Sequence, residues 1–216
     1  MNQLRPLPTA EIYDGIEDMN LPADAQGWHS TNPIFAELIA ETKAKVIIEC
    51  GSWKGASAIH MARLAPEAKL YCVDTWFGGL DHDLEQQEPT SFIERHHGYP
   101  CLYFLFLSNI KRAGVHERVV PVPQTSVTGA RFLRAHRVKA DLIYIDGSHE
   151  WDDPYHDMEE FWHLLRPGGI MFGDDMDFPG VAVSYYRFLM ELGLRERIPF
   201  KPCVTDKFFW IIRKPE

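Results

Sequence analysis

The chain has 216 residues, 45% of them apolar, which predicts a single domain over residues 1–216 that buries its own core. A formal net charge of −9 argues against binding along a nucleic-acid backbone, since that affinity comes chiefly from Lys and Arg. Because no apolar run reaches membrane-spanning length and residues 1–18 lack the pattern of a secretory signal, we expect a protein without membrane contact that acts on a small molecule or a sugar.

Short apolar runs alternate along the chain with longer segments of helical character, after an N-terminal extension over residues 1–32. The predicted strands cover residues 45–50, 69–74, 118–122, 141–146 and 169–173. The predicted helices cover residues 33–42, 54–64, 99–113, 126–136, 154–165 and 181–192. This alternation is typical of an α/β fold with a mostly parallel sheet and helices on both of its faces.

The fifth helix carries the clearest sequence signals. Asp153 is its predicted N-cap and Pro154 its first residue, and Gly168 and Gly169 follow its end. Its apolar face is expected in the core rather than around a cofactor. That face consists of Tyr155, Met158, Phe161, Trp162 and Leu165.

Two further strands are predicted after the last helix, at residues 194–200 and 207–213, joined by a turn at residues 202–206. They form a C-terminal hairpin that brings the sheet to seven strands and adds an antiparallel strand. Aromatic residues expected to be exposed near this end would suit a homodimer contact. They are Tyr185, Tyr186, Phe208, Phe209 and Trp210.

Residues 77–98 have no clean periodicity and contain Gly78, Gly79 and five acids. This composition predicts a loop with a short helix that covers the site as a lid. Its histidines are expected on the lid surface rather than in an acceptor pocket. They are His82, His96 and His97.

The cysteines form no CxxC pair, and two of them lie in predicted strands. We therefore expect reduced, buried thiols in a cytoplasmic protein, and not metal ligands. They are Cys50, Cys72, Cys101 and Cys203.

The first predicted strand runs into a glycine-containing turn from Glu49 to Ser57, where the next helix starts. Glycines let the backbone approach a ligand there, and free N–H groups at a helix N-terminus favour a carboxylate or phosphate. Trp53 stands where the dinucleotide fingerprint needs glycine, and it is expected to pack at the loop rather than to form a substrate platform. Asp74 ends the second strand, where an acid can accept both hydroxyls of a ribose.

Acidic residues end two later strands that are predicted to be parallel neighbours. Asp146 follows residues 142–145, and the pair Asp174 and Asp175 follows residues 169–173. The carboxyl ends of parallel strands meet where α/β proteins bind ligands, so the three acids should converge. Like charges that close need a cation or raised pKa values, and the hard oxygen donors favour magnesium. Taken singly, each acid is more often a cap or turn residue.

With these residues in place, the chain resembles the class I S-adenosylmethionine-dependent methyltransferases. Within them it is similar to the metal-dependent O-methyltransferases of the catechol type and their sugar and macrolide relatives. The resemblance covers roughly residues 35–190 and implies a Rossmann-like fold. Its motifs are Glu49-x-Gly51-x-x-x-Gly55-x-Ser57, Val73-Asp74, and Ile145-Asp146 followed by Gly168-Gly169 and Asp174-Asp175.

The resemblance implies where S-adenosylmethionine binds. Glu49, Gly51 and Ser57 would surround its methionine end, with Ser57 reaching the carboxylate, and Asp74 would hold the ribose. The region after the third strand would border the adenine. The remaining residues of the implied cofactor site are Ser52, Gly55, Thr75, Gln124, Thr125, Ser126 and Asp146.

The resemblance also assigns the chemistry. Asp146, Asp174 and Asp175 fall on the family's metal ligands, with Asp175 in place of the Asn of catechol-type members. His149 stands where catechol-type enzymes carry a catalytic lysine, so it is either the base that deprotonates the acceptor or a hydrogen-bonding support. The implied reaction is an in-line methyl transfer to a hydroxyl oxygen, with His149 and Asp146 as catalytic residues. Tyr155 and Asp177 are weaker candidates for substrate contacts.

Two alternatives stay open at this point. One is a nicotinamide-dependent oxidoreductase, which Trp53 disfavours. The other is a non-catalytic or repurposed member of the same fold, comparable to cephalosporin-hydroxylase-like proteins, in which the acids serve binding alone.

Overall fold

A computed structural model of the protein describes residues 4–79, 95–196, 203–204 and 208–216. Two short 3-10 helices, Ala10–Tyr13 and Ile16–Met19, precede the main elements. The α-helices are α1 Ile34–Thr42, α2 Ala56–Leu64, α3 Leu102–Arg112, α4 Ser126–Ala135, α5 Asp153–Trp162 and α6 Pro179–Glu196. The strands are β1 Val46–Cys50, β2 Lys69–Asp74, β3 Arg95–His96, β4 Tyr99–Pro100, β5 Val119–Pro123, β6 Ala140–Ile145, β7 Leu165–Gly173, β8 Cys203–Val204 and β9 Trp210–Arg213.

The main sheet has seven strands in the order β5-β2-β1-β6-β7-β9-β8. The first five in this order are parallel, β9 is antiparallel to β7, and β8 is antiparallel to β9. The predicted α/β class and seven-stranded, mostly parallel sheet are therefore confirmed. The strand order reverses between β1 and β6, and the carboxyl-end crevice at such a switch point is where α/β proteins bind ligands.

The strand register fixes which residues meet at this crevice. Cys50, the last residue of β1, pairs with Val73 of β2 and with Ile145 of β6. Ile145 in turn pairs with Gly173 of β7. The residues that follow these strand ends, together with the last residue of β2, therefore lie side by side along one edge. They are Gly51, Asp74, Asp146 and Asp174.

Two apolar layers hold the helices against the sheet. One layer packs α1, α2 and α3 on one face and includes Phe35, Phe106 and Tyr144. The other packs α4, α5 and α6 on the opposite face and includes Met158, Tyr185 and Trp210. The strands are apolar on both faces because both are covered, as parallel sheets require. This double layer makes the sheet edge a rigid platform for the loops that extend from it.

Several predicted boundaries are wrong. Helix α3 begins at Leu102 and not at residue 99, because Tyr99–Pro100 pairs with Arg95–His96 in a small antiparallel hairpin. Helix α5 ends at Trp162, since Leu165 already belongs to β7. Its N-cap is Asp152, with φ of 70° and no capping side chain, so the predicted cap at Asp153 is also wrong.

The C-terminal region differs from the prediction as well. Helix α6 continues to Glu196, so residues 194–196 are helical where a strand was predicted, and residues 197–200 lie outside the described residues. Leu, Arg and Glu are good helix formers, which explains the extension. The added strand next to β9 is Cys203–Val204.

The aromatic residues predicted to form a dimer contact are mostly core residues. Tyr185, Phe209 and Trp210 are each no more than 1% exposed, and only Tyr186 is well exposed at 43%. Pairing of β9 with β7 brings Trp210 onto Gly173, where a Cβ would lie 2.3 Å from the indole. The predicted homodimer surface is therefore not formed by this set.

The predicted lid, the cysteines and the absence of a membrane span are the remaining predictions about the fold. Residues 80–94, which include most of the predicted lid and His82, lie outside the described residues, while His96 and His97 are exposed as expected. Cys50 and Cys72 are buried free thiols, whereas Cys101 is partly exposed. Among the described residues, no helix combines the length and apolar character that crossing a bilayer requires.

Candidate functional site

A cavity of about 480 Å³ opens along the carboxyl ends of the central strands. Its volume lies in the range of small-molecule and cofactor sites. The loops that follow β1, β2, β5, β6 and β7 form its floor and sides, and residues 26–30 of the N-terminal extension form a further wall. Of the predicted site residues, the cavity is lined by Gly51, Ser52, Ser57, Asp74, Thr75, Thr125, Ser126, Asp146, His149, Asp174, Asp175 and Asp177.

Gly51 lies where the loop that follows β1 (the β1 loop) crosses the loop that follows β6 (the β6 loop). Its φ is 83°, a conformation that favours glycine, and a Cβ at this position would lie 1.7 Å from the carbonyl oxygen of Asp146. The Asp146 N–H donates to the carbonyl of Cys50 at 2.8 Å, and the Gly51 N–H donates to the carbonyl of Val73 at 2.9 Å. The glycine therefore lets three strand ends come together under the cavity.

Asp74 organises the loop that follows β1. One of its carboxylate oxygens accepts the backbone N–H groups of Ser52 and Trp53 at 2.8 and 2.9 Å, and the other accepts the Trp76 N–H at 2.6 Å. The side chain also lines the cavity and is partly exposed. Asp74 is thus placed to contact a ligand while it holds the loop beside that ligand.

Glu49 lies behind the cavity wall and not in it. The side chain is completely buried, and its two oxygens accept hydrogen bonds from Ser52 Oγ at 2.5 Å and Ser57 Oγ at 2.6 Å. Burial raises the pKa of Glu49 to about 7, which the two serine hydroxyls partly offset. Ser52 and Ser57 therefore stand between Glu49 and the cavity. Gly55 and Gln124, also predicted to bind the cofactor, do not line it either.

We expect the ligand-free protein to lose stability as the pH rises from about 4.5 to about 7. The folded-state pKa of Glu49 is above its ordinary value, so the folded protein binds this proton more tightly than the unfolded chain does. The stabilising effect of protonation is complete at low pH and is lost as the carboxyl ionises. Urea unfolding of wild type and E49Q across this range checks the expectation.

Wild type and E49Q should differ in how steeply the free energy of unfolding declines with rising pH. Burial also raises the pKa of Asp157 and of Asp174 to about 6, so E49Q should keep part of the decline. The effect of Glu49 alone should be up to about 3 kcal/mol, since each pKa unit corresponds to about 1.4 kcal/mol. Parallel curves for wild type and E49Q would contradict the assignment.

An acidic cluster occupies the other end of the cavity. Asp146, His149 and Asp175 each bring one ligand atom to within 4.8 Å of the others, and His149 Nε2 lies 2.8 Å from Asp175 Oδ2. Tyr144 donates its hydroxyl proton to Asp146 Oδ2 at 2.9 Å. Burial, and after it the charges of Asp175 and Asp174, raise the pKa of Asp146 well above its ordinary value. A divalent cation would relieve this repulsion, and the donor atoms are close enough to hold one.

Asp174 lies beside this cluster but has other partners. It is 4% exposed, one oxygen lies 3.1 Å from His29 Nδ1, and the other accepts the backbone N–H of Asp175 at 2.8 Å. Burial, together with the charge of Asp175, raises its pKa to about 6. The three residues whose ligand atoms lie close together are therefore Asp146, His149 and Asp175. The sequence predicted Asp174 in place of His149. Asp175 has φ of 65°, a strained conformation of the kind found at functional sites.

Aromatic rings form the open side of the cavity, and Trp53 is one of them, although the sequence predicted only that it packs at the loop. The rings of Trp28 and Trp53 lie 6.0 Å apart, the Trp53 indole N–H donates to Gln26 Oε1 at 3.1 Å, and the Phe178 ring lies 4.4 Å from that of His149. Asp177 is exposed and lines this side. Tyr155, a weaker candidate for substrate contact, is buried under helix α6, where its hydroxyl donates to Glu191. It does not reach the cavity.

The N-terminal wall is fastened to the domain by polar contacts. Lys54, buried near the end of the β1 loop, forms an ion pair of 2.6 Å with Asp24. Asn109 of α3 donates to the carbonyls of both Asp24 and Lys54, and Arg112 donates to the carbonyls of residues 21 and 22. Residues 21–24 are therefore held against α3, and the chain continues from there along the cavity to His29.

Sequence reasoning missed several residues that line this cavity, among them Trp28, His29, Asp157 and Phe178. Trp28 and His29 belong to a segment without periodicity, and only their contacts place them at the cavity. Asp157 also lines the cavity, at 3% exposure. Its signal was present in the sequence, because an acid in α5 lies among Pro154, Tyr155, Met158 and Phe161 on the buried side of the helix.

Comparison with known proteins gives a family and a set of similar structures. A family model described as a methyltransferase domain matches residues 48–176. A Podospora anserina methyltransferase with bound S-adenosylhomocysteine is 16% identical, with a TM-score of 0.63 and coverage of 97% of this chain and 89% of that one. Among curated proteins no sequence matches.

Two O-methyltransferase structures are similar to the same extent. One, from Bacillus cereus in complex with S-adenosylhomocysteine, is 19% identical, with a TM-score of 0.58 and coverage of 94% of this chain and 89% of that one. The other, from Streptomyces achromogenes, takes part in tomaymycin synthesis and contains S-adenosylmethionine. It is 17% identical, with a TM-score of 0.58 and coverage of 98% and 92%.

Proposed function

Since the chain belongs to the methyltransferase-domain family, we propose that it transfers a methyl group from S-adenosylmethionine to a hydroxyl oxygen of a small molecule or sugar. One observation carries the proposal. A single cavity contains the glycine turn of β1, the acid that ends β2 and the cluster of Asp146, His149 and Asp175. The solved O-methyltransferases that share the fold, with bound S-adenosylmethionine or S-adenosylhomocysteine, support the same donor.

The cofactor would lie across the switch point between β1 and β6. Its methionine end would contact Ser52, Ser57 and the start of α2, where free backbone N–H groups favour a carboxylate. Its ribose would contact Asp74, and its adenine would lie between Thr75 and the residues that follow β5. Each of these residues lines the cavity in this order along the sheet edge.

Asp146 and Asp175 would hold a divalent metal, with His149 as a further ligand or as the base. When bound, such a cation lowers the pKa of a coordinated hydroxyl and so favours the oxyanion that attacks the methyl group. His149 is positioned by Asp175 at 2.8 Å and by the ring of Phe178, which suits a group that removes a proton. Two carboxylates suit magnesium or manganese, whereas a ligating imidazole would shift the preference towards zinc or iron.

The charge of the cavity limits the acceptor. Its acidic lining residues are Asp74, Asp146, Asp157, Asp174, Asp175 and Asp177, while no Lys or Arg is among the described residues that line it. A carboxylate or phosphate on the acceptor would therefore be repelled without a compensating cation. Trp28, Trp53 and Phe178 offer flat apolar surface. We expect a neutral or cationic acceptor with a flat or ring-shaped body.

A thermal-shift experiment tests the donor assignment. S-Adenosylhomocysteine should stabilise the protein, and NADH should not, because a ligand that binds only the folded form raises the unfolding temperature. The opposite pattern would favour a nicotinamide-dependent oxidoreductase. Stabilisation by S-adenosylhomocysteine without turnover, in the presence of magnesium or manganese and a broad set of neutral hydroxyl acceptors, would favour a non-catalytic member of the fold.

Replacing Asp74 with alanine should weaken S-adenosylhomocysteine binding by about 100-fold, because it removes a ligand contact and also the three hydrogen bonds that hold the adjoining loops. D74N keeps one acceptor oxygen and should cost about 10-fold. Calorimetric titration of both variants measures this. If D74A bound as tightly as wild type and lost only turnover, Asp74 would not be at the ribose.

A further inference from the structure

A second, much smaller cavity lies behind the acidic cluster. Its volume is about 10 Å³, and it shares the β6 loop and the acids of the cluster with the large cavity. Its other walls are core residues that do not line the large cavity. They are Ile145, Pro154, Met158, Val181 and Trp210. The acidic cluster therefore has the large cavity on one side and the small cavity on the side of the core.

The indole N–H of Trp210 is buried without a hydrogen-bond partner in the part of the chain that the structure describes. Trp210 is 1% exposed and lines the small cavity. A Cβ on Gly173 would lie 2.4 Å from Cε2, the ring carbon bonded to Nε1, so this edge of the indole lies at the end of β7, directly before Asp174. An indole nitrogen can only donate, and a buried donor without an acceptor is unfavourable. The small cavity is the place where an acceptor for this N–H can lie.

The size and the lining of the small cavity determine what that acceptor is. A volume of about 10 Å³ suits one water molecule and is far too small for an organic ligand. A bare cation would face the indole N–H, and an anion would face the carboxylates of Asp146, Asp174 and Asp175. A water molecule can accept from the indole and donate to a carboxylate at the same place.

The hydrogen bonds within the acidic cluster indicate which carboxylates receive the protons of that water. Asp146 accepts the Tyr144 hydroxyl on Oδ2. Asp175 faces His149 Nε2 with Oδ2. Each of these carboxylates has a second oxygen with acceptor capacity, whereas Asp174 has hydrogen-bond contacts on both oxygens. Asp146 and Asp175 are therefore the better acceptors.

From this arrangement we propose that the small cavity binds one water molecule, which accepts the indole N–H of Trp210 and donates to Asp146 and Asp175. Trp210 is then a positioning residue that acts on the acidic cluster through this water. The water holds the two carboxylates from behind, so that both can face a cation in the large cavity. The effect on a cation rests on the proposed function, whereas the water site itself does not.

Contact between water and the indole N–H tests the site in the wild-type protein without any ligand. In isotope-labelled protein, the Trp210 indole N–H should show nuclear and rotating-frame Overhauser effects of opposite sign with water, the pattern of a long-lived bound water molecule. Trp76 is the matched control, because it is 2% exposed and its indole N–H donates to the carbonyl of Trp53 at 2.9 Å. An absent contact at Trp210, or one no stronger than at Trp76, would overturn the water site.

Replacing Trp210 with phenylalanine removes the N–H and should weaken the binding of magnesium or manganese by at least about 10-fold, since groups that orient metal ligands typically change metal affinity by this much. Calorimetric titration with the metal alone, before any donor or acceptor is added, measures the loss. W76F is the control, because it also removes a buried indole and its hydrogen bond, but in the apolar layer on the opposite face of the sheet. It should keep the metal affinity within a few-fold of wild type.

Unchanged metal affinity in W210F, or an equal loss in W76F, would overturn the positioning role of Trp210. If circular dichroism shows that W210F does not fold, benzothienylalanine introduced at position 210 decides by the same titration, because sulfur replaces the N–H on a ring of nearly the same shape. Failure of the proposed function gives a different pattern. If the wild type binds neither metal but shows the water contact, the proposed cation site and the effect of Trp210 on it fail, and the water site stands.

Discussion

Replacing Asp146 with asparagine (D146N) is expected to reduce the rate of methyl transfer by at least about 100-fold while leaving the affinity for S-adenosylhomocysteine within a few-fold of wild type. The Asp146 carboxylate is the member of the acidic cluster that lies between the proposed cofactor end of the cavity and Asp175, and Tyr144 donates a hydrogen bond to it at 2.9 Å. D146N keeps the backbone N–H that bonds to Cys50 and the shape of the side chain. The substitution removes the negative charge, and a bound cation requires that charge.

Steady-state turnover with magnesium and with manganese, beside calorimetric titration of S-adenosylhomocysteine, measures the two parts of this expectation. Stabilisation of the protein by the metal alone should also disappear in D146N. D153N provides the control for loss of one negative charge at an exposed site. Wild-type turnover in D146N would remove the acidic cluster from the mechanism, and a large loss of cofactor affinity would move Asp146 to the cofactor site.

Replacing Gly51 with alanine is expected to destabilise the fold by several kcal/mol and to abolish cofactor binding. The new Cβ would lie 1.7 Å from the carbonyl oxygen and 2.5 Å from the carbonyl carbon of Asp146. Both atoms are backbone, so the clash can be relieved only if the β1 loop separates from the β6 loop. Urea unfolding gives the loss of stability, and titration with S-adenosylhomocysteine gives the loss of binding.

Gly114 supplies the control for G51A. Its φ of 70° is in the same left-handed region, but nothing lies within 4 Å of the position of a Cβ. G114A should therefore cost only the conformational strain of about 1–2 kcal/mol. The difference between the two variants measures the steric contact of Gly51 with Asp146. Equal costs would mean that the crossing of the two loops is not as close as described.

The fold was predictable because its signals are local. Apolar runs that alternate with amphipathic segments define β1, β2, β5, β6 and β7, and parallel pairing then brings their carboxyl ends to one edge. Asp74, Asp146 and Asp174 could be assigned to that edge from their positions after these runs. The resemblance to methyltransferases rests on the same residues, and the family match confirms it.

The remaining site could not be predicted because it depends on contacts between distant segments. His29 meets Asp174 only after residues 21–24 are fixed on α3, and no periodicity marks that path. Whether Asp174 or His149 joins Asp146 and Asp175 depends on side-chain directions that strand position does not determine. Asp157 was visible as an acid on an apolar helix face, and its place in the wall of the cavity emerged only from the structure.

The attachment of the N-terminal segment separates the choice of acceptor from the binding of the methyl donor in this enzyme. Loops of the sheet form the proposed cofactor and metal ends of the cavity, whereas the wall with Trp28 and His29 belongs to a stretch that is held in place by Lys54, Asn109 and Arg112. Exchange of that stretch between homologues is therefore expected to change the acceptor without altering the donor site. Chimaeras joined near residue 32 would transfer acceptor preference from one methyltransferase to another.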